Sequence, residues 1–162
     1  MAETMEEKQA SLRRAMSMFP TGIIAVCAEV DGEVVGIPVN SFTSVSLEPP
    51  LVSVSVARTS TTWPKLVKSP SLGLSVMGAS HGDFCRRLAS RGAPNKFENV
   101  SWHKNADSAV FIEDAVLWLE CKISAEYDGG DHDIVLLKVL DEQAFPEVEP
   151  LIFYQSNMRE LG

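Results

Sequence analysis

Cysteine is scarce: the chain has three in 162 residues, Cys27, Cys85 and Cys121. An odd, widely spaced set with no CxxC and no His/Cys cluster indicates neither a disulfide framework nor a structural zinc site. A reducing cytoplasm is the expected setting, and no metal centre is expected. Basic charge is also short, with 14 Lys and Arg against 22 Asp and Glu and a formal net charge of −8. No basic patch interleaved with aromatics occurs, so nucleic acid is not an expected partner. No apolar run approaches the roughly 20 residues that span a bilayer. The acidic start, MAETMEEKQA, is unlike a signal peptide, so no membrane role is expected. Walker A and GxSxG patterns are missing, which removes the usual support for P-loop phosphoryl transfer and serine hydrolysis.

What is present is an ordinary globular composition, 45% hydrophobic and 22% charged. The length fits one domain over residues 1–162, with 1–7 expected as a disordered N-terminal tail. Lys8–Phe19 reads as an amphipathic helix with Leu12, Ala15, Met16 and Phe19 on one face. Ile23–Glu29 and Glu33–Val39 alternate about Asp31-Gly32, a hairpin signal, and Pro38 marks an edge, bulge or strand exit. Further strands are predicted over Asn40–Leu47, Leu51–Ala57, Ser71–Met77, Ala115–Tyr127, Ile134–Leu140 and Leu151–Tyr154. Short helices are predicted after Thr62 and after Ser80, and Arg91–Ser108 is a long polar connection. Many short strands with two or three helices give a mainly β fold, a closed antiparallel barrel with flanking helices.

The stretch Asn40–Pro64, NSFTSVSLEPPLVSVSVARTSTTWP, has the most chemical content. Period-2 spacing puts Leu51, Ser53, Ser55 and Ala57 on one face and Val52, Val54, Val56 and Arg58 on the other. A face of Ser and Ala leaves room for a flat group near the backbone. The hydroxyl cluster Thr59–Thr62 at a helix start, with Arg58 as a cation, suits an anion. A plain N-cap supplied by Thr61 or Thr62 explains the same residues equally well. The turn Gly129-Gly130-Asp131-His132 presents a histidine at a strand start, although a β-turn with an incidental His is the commoner meaning of that spacing. His81 and Cys85 are one helical turn apart, but a structural buried Cys is the commoner case. Trp63, Trp102 and Trp118 are read first as packing residues.

In this order the pieces resemble a known family. They are Arg14-Ala15-Met16, Phe19-Pro20-Thr21-Gly22, Asn40-Ser41-Phe42-Thr43-Ser44-Val45-Ser46-Leu47, Pro49-Pro50-Leu51, Gly130-Asp131-His132, and Pro150-Leu151 with Phe153-Tyr154. Together they resemble the short-chain flavin reductases of the flavin-reductase-like, FMN-binding split-barrel group. The resemblance spans about Leu12 to Tyr154. It implies a homodimeric split β-barrel that reduces FMN or FAD with NADH or NADPH, often for release to a separate monooxygenase. Carried over by position, Asn40, Ser41, Phe42 and Thr43 line the flavin ring and ribityl chain. Ser55, Val56, Ala57 and Arg58 border the flavin, and Ser60, Thr61 and Thr62 hold phosphate. Lys96 and Phe97 fall where the family contacts phosphate or adenine. Gly130, Asp131 and His132 form the turn that faces the nicotinamide, with His132 as its orienting residue. Two features depart from the pattern: Pro38 replaces a Thr or Ser, and Gln155–Arg159 lacks the usual Gly/Tyr pattern. A tightly flavin-loaded electron carrier on the same barrel is the alternative function, and an oxidase on the related barrel a third.

Overall fold

A computed structural model describes residues 2–162. Helix α1 (Met5–Met16) starts earlier than periodicity predicts. Thr4 Oγ1 accepts from the Glu7 amide at 3.1 Å, and the Glu7 carboxylate accepts from the Thr4 amide at 3.0 Å. This capping box satisfies two amides that the helix end leaves free. Residues 5–7, expected in a disordered tail, are therefore the first turn of α1. No residue of α1 is buried, and Leu12, Met16 and Phe19 are 61%, 64% and 75% exposed.

Strands β1 (Ile24–Val30) and β2 (Glu33–Val39) form the predicted hairpin. Its turn puts Asp31 at φ 52° and Gly32 at φ 79°, the left-handed region where Asp is tolerated and Gly is unstrained. Strands β3 (Thr43–Ser46) and β4 (Leu51–Ala57) follow, then the single-turn helix α2 (Trp63–Leu66) and strand β5 (Leu72–Val76). A 3-10 turn (Ala79–His81) leads into α3 (Gly82–Ala89). The remainder is β6 (Trp102–Lys104), β7 (Val110–Ile112), β8 (Leu117–Gly129), β9 (His132–Ala144), β10 (Leu151–Tyr154) and β11 (Asn157–Glu160).

The main sheet has seven strands in the order β2-β1-β5-β8-β9-β4-β3, and β6-β7 and β10-β11 are separate two-stranded ribbons. Among the described residues no ladder joins β2 to β3 or β4. The expected closed barrel is therefore an open sheet, mainly β in class as predicted but without closure. It nevertheless wraps one core, in which Ile24 and Val26 of β1 meet Val52 and Val54 of β4, Leu72 and Leu74 of β5, and Val135 and Leu137 of β9. On the other side of β1, Ala25 and Cys27 pack with Phe84, Cys85 and Leu88 of α3 and with Val110 and Ile112 of β7. Period-2 geometry divides the two cores strand by strand.

β2 is an edge strand, where a proline at position 38 is tolerated. The predicted strand 40–47 is shortened to β3 for a specific reason. Extending the β3–β4 register from Thr43↔Ser53 would set Ser41 opposite Ser55. There the Ser41 hydroxyl accepts from the Ser55 amide at 2.8 Å and donates to the Ser55 carbonyl at 3.1 Å. A side chain thus replaces the backbone in that rung, and the chain at residues 40–42 is free to turn away from β4.

Candidate active site

Where β2 and β4 fail to pair, a cleft of about 400 Å³ opens. One wall is the end of β2, Ile37-Pro38-Val39, continuing into Asn40 and Ser41; the facing wall is Ser55, Val56 and Ala57 of β4. Leu88 and Ala89 of α3 close a third side, and Ser60, Thr61, Thr62, Arg91, Gly92 and Lys96 line one end. His132 also lines it, brought there because β9 pairs with β4 and sets His132 opposite Ala57. Val52, Val54 and Val56 are buried while Ser53, Ser55 and Ala57 are only half-buried, the alternation anticipated for a flat, small-residue wall.

The hydroxyl end is built differently from the sequence expectation. Neither Thr61 nor Thr62 caps α2: the Trp63 amide donates to Ser60 Oγ at 3.1 Å, and Thr62 makes no side-chain cap bond. With four residues, α2 is too short for a helix dipole to hold an anion. The cations there are Arg91 and Lys96 of the 90–101 connection. Arg91 Nη2 donates to the Thr59 carbonyl at 3.1 Å, tying that loop to the hydroxyl turn. Arg91 and Gly92 were missed in the sequence, where an Arg inside a long polar connection carries no spacing signal.

Arg58 does not line the cleft. Its guanidinium bonds Asp128 and Asp133 and so does not face an anion beside Ser60. Gly130 and Asp131 stay outside the lining as well, and they carry His132 in place. Asp131 Oδ1 lies 2.7 Å from His132 Nδ1, and that contact holds the Asp131 carboxyl below its ordinary range. Phe42 packs against the main core and Thr43 is exposed, so of the block Asn40–Thr43 only Asn40 and Ser41 reach the cleft. Ser41's hydroxyl is committed to Ser55 on both sides.

Two spaces adjoin the cleft. The larger, about 830 Å³, shares Thr61, Thr62, Gly92 and Lys96 with it and adds Lys65, Phe97 and Trp102. Phe97 thus stands beyond the hydroxyl end, its ring packed on Phe84 at 5.5 Å and against Gly36, where a Cβ would come within 3.2 Å of it. The smaller, about 190 Å³, shares Pro38, Val39, Asn40 and Ala89 and adds Ile23, Cys85, Phe153 and Met158.

The other candidates are structural. His81 Nδ1 accepts from the Gly78 amide at 3.0 Å and Nε2 donates to the Glu113 carbonyl at 2.9 Å, so one neutral tautomer satisfies both. Burial pushes its pKa down. The thiols of Cys85 and Cys121 are pushed up to about 12 by burial, and Cys27 higher still. Trp63 lies in the core, and Trp118 is packed edge-on between His103 at 4.7 Å and Phe145 at 4.6 Å. Among the described residues no His/Cys/Asp/Glu group is arranged for a metal, and no helix is long and apolar enough to cross a membrane.

The cleft joins a wall of small side chains to a segment lined by hydroxyls and cations, with His132 beside it. Comparison with known proteins places the chain in a family. Residues 16–162 match the family model described as flavin reductase like domain. An NADH-dependent FAD reductase of Streptomyces globisporus is 36% identical over 166 residues, covering 99% of this chain and 91% of the relative. The reductase subunit of a flavin-dependent monooxygenase from Rhodococcus jostii is 29% identical over 154 residues, covering 95% of this chain and 77% of the relative. A solved structure of a Streptomyces globisporus NADH:FAD oxidoreductase, in complex with NAD and FAD fragments, superposes with a TM-score of 0.89 at 34% identity, covering 99% and 98% of the two chains. The chain belongs to the flavin reductase like domain family.

Proposed function

We propose that this protein is an NAD(P)H:flavin oxidoreductase that reduces FMN or FAD and releases the reduced flavin to a partner monooxygenase. The observation that carries the reading is one cleft that gathers a hydroxyl- and cation-lined segment and a histidine-bearing turn. Bound flavin supplies the hydride-accepting ring, and the protein supplies orientation and electrostatics. Ser55 and Ala57 give the ring a flat wall without bulky side chains. Ser60, Thr61 and Thr62, with Arg91 and Lys96, donate to the phosphate arm, where charge-assisted bonds are the strong ones. His132 orients the nicotinamide so that the two rings stack within reach of hydride transfer. Hydride transfer needs no proton donor, so His132 is not an obligatory acid. The adjoining space past Thr62 has room for the longer arm of FAD.

The partner assignment is supported by the Rhodococcus relative, a reductase subunit of a flavin-dependent monooxygenase. A homodimer is supported by α1, whose Leu12 and Met16, with the following Phe19, are left uncovered by the rest of the chain; a second copy covers apolar surface of this kind. Three free, buried thiols accord with a reducing cytoplasm.

Crossing FMN and FAD with NADH and NADPH tests the activity: loss of nicotinamide absorbance that depends on added flavin is expected. No turnover in any of the four combinations would sink the reading. Yellow colour that survives gel filtration without nicotinamide oxidation would favour the carrier alternative. For His132→Ala, the nicotinamide KM is expected to rise about tenfold, a loss of about 1.4 kcal/mol. Flavin affinity is expected to stay within a factor of two, and a collapse of flavin binding instead would put His132 at the wrong end of the cleft.

A further inference from the structure

Asp128 and Asp133 are direct partners across the β8–β9 ladder, one rung before the pair Gly129↔His132 that closes the turn. Like charges directly opposite each other in a sheet destabilise the pair. The turn between them contains two glycines and Gly130 sits at φ 82°, so its own backbone preferences hold it weakly. Left alone, this rung would push its strands apart at the base of the loop that carries His132.

The chain answers this from a third strand. Arg58 follows directly on β4, which pairs with β9 through Val56↔Asp133 and Ala57↔His132. Its Nε donates to Asp133 Oδ1 at 3.1 Å and its Nη2 lies 3.0 Å from the same oxygen, while Nη2 also bonds Asp128 Oδ1. The Arg58 amide donates to the Asp131 carbonyl at 3.0 Å. Asp128 Oδ1 accepts the Gly130 amide as well, at 3.1 Å, so the carboxylate that Arg58 grips also holds the turn's apex. One cation therefore bridges two opposed carboxylates, offsets their repulsion, and links β4, β8 and β9 at the point where His132 enters the cleft.

We propose that Arg58 is a positioning residue for the nicotinamide half of the site, a clamp on the turn at residues 128–133, and not a ligand of the flavin phosphate. The assignment rests on the reductase reading above. It predicts a separation that phosphate binding does not: damage at Arg58 falls on the nicotinamide and spares the flavin.

The test uses the full-length chain and the variants R58M, R58K and R58M/D128N/D133N. R58M is expected to raise the nicotinamide KM about tenfold with flavin affinity, read by fluorescence quenching, within about a factor of two. R58K restores part of the loss, because a point charge still offsets the repulsion between the carboxylates without the fork geometry. The triple variant also recovers part of it, because the opposed charges are gone. Amide hydrogen exchange at Gly129–His132 is expected to quicken in R58M and to return toward the parent rate in the triple variant. That readout does not depend on turnover. An unchanged exchange rate overturns the clamp, and so does a flavin affinity that falls while the nicotinamide KM holds. If exchange behaves as expected while the parent protein reduces no flavin, the clamp stands and the reductase reading fails. Should R58M not fold, D133N carries the same exchange measurement with the cation kept.

Discussion

Two segments meet beside Ala57 at the end of β4. In the first, the chain leaves β4 through Ser60–Thr62 and is anchored at once by Trp63 and Leu66, which are 8% and 0% exposed. In the second, the turn at residues 128–133 stands largely in solvent, and the Asp128 side chain that Arg58 grips is 79% exposed. The first is fixed by burial, which salt does not screen. The second is fixed by charge, which salt screens and substitution of one partner weakens. The two halves of the site should therefore fail separately: the flavin half with the fold, the nicotinamide half without it.

Leu66→Ala is the severest way to test that difference. Removing a fully buried Leu costs about 2–5 kcal/mol, so denaturant melts should show a large loss, and flavin affinity should fall with it. Retained flavin affinity in a strongly destabilised variant would show that α2 does not position the hydroxyl end. Ser60→Ala comes next. It removes the acceptor of the Trp63 amide, a cap worth about 1 kcal/mol, and one proposed phosphate donor. A modest drop in melting temperature with a several-fold weaker flavin affinity is expected, and an unaffected nicotinamide KM. If the nicotinamide KM moves instead, the two segments are not separable. Asp128→Asn is the gentlest. An exposed ion pair contributes little to stability, and Asn still accepts the Gly130 amide. Stability should hardly change, while the nicotinamide KM rises slightly and becomes less sensitive to salt.

Much of the fold was legible because local rules decided it. Alternation gave β4 its observed bounds, Leu51–Ala57, and Asp31-Gly32 placed the first hairpin. The second half of the closing ribbon, β11, was missed because Asn157–Glu160 is polar and its turn uses Gln155 and Ser156, both at positive φ without being Gly. The start of α1 was missed because a capping box in an acidic tail carries no apolar period. Closure of the sheet was predicted wrongly because strand counts do not say whether the two edges meet. In the site, Asn40, Ser41, Ser55–Ala57, Ser60–Thr62, Lys96 and His132 do gather in one cleft. Arg58 was misplaced for a nonlocal reason. Beside Thr59 in sequence it reads as part of an anion site, and only the β4–β9 and β8–β9 pairings bring two aspartates to it.

The buried cysteines bear on durability. A protein that passes hydride works among oxidants and reductants, and the thiolate is the form of cysteine that such agents attack. Cys85 and Cys121, with thiols pushed up to about 12, are protonated at neutral pH, and Cys27 is 0% exposed. Protonated and almost fully buried, the three thiols are poor starting points for sulfenic acid or a mixed disulfide.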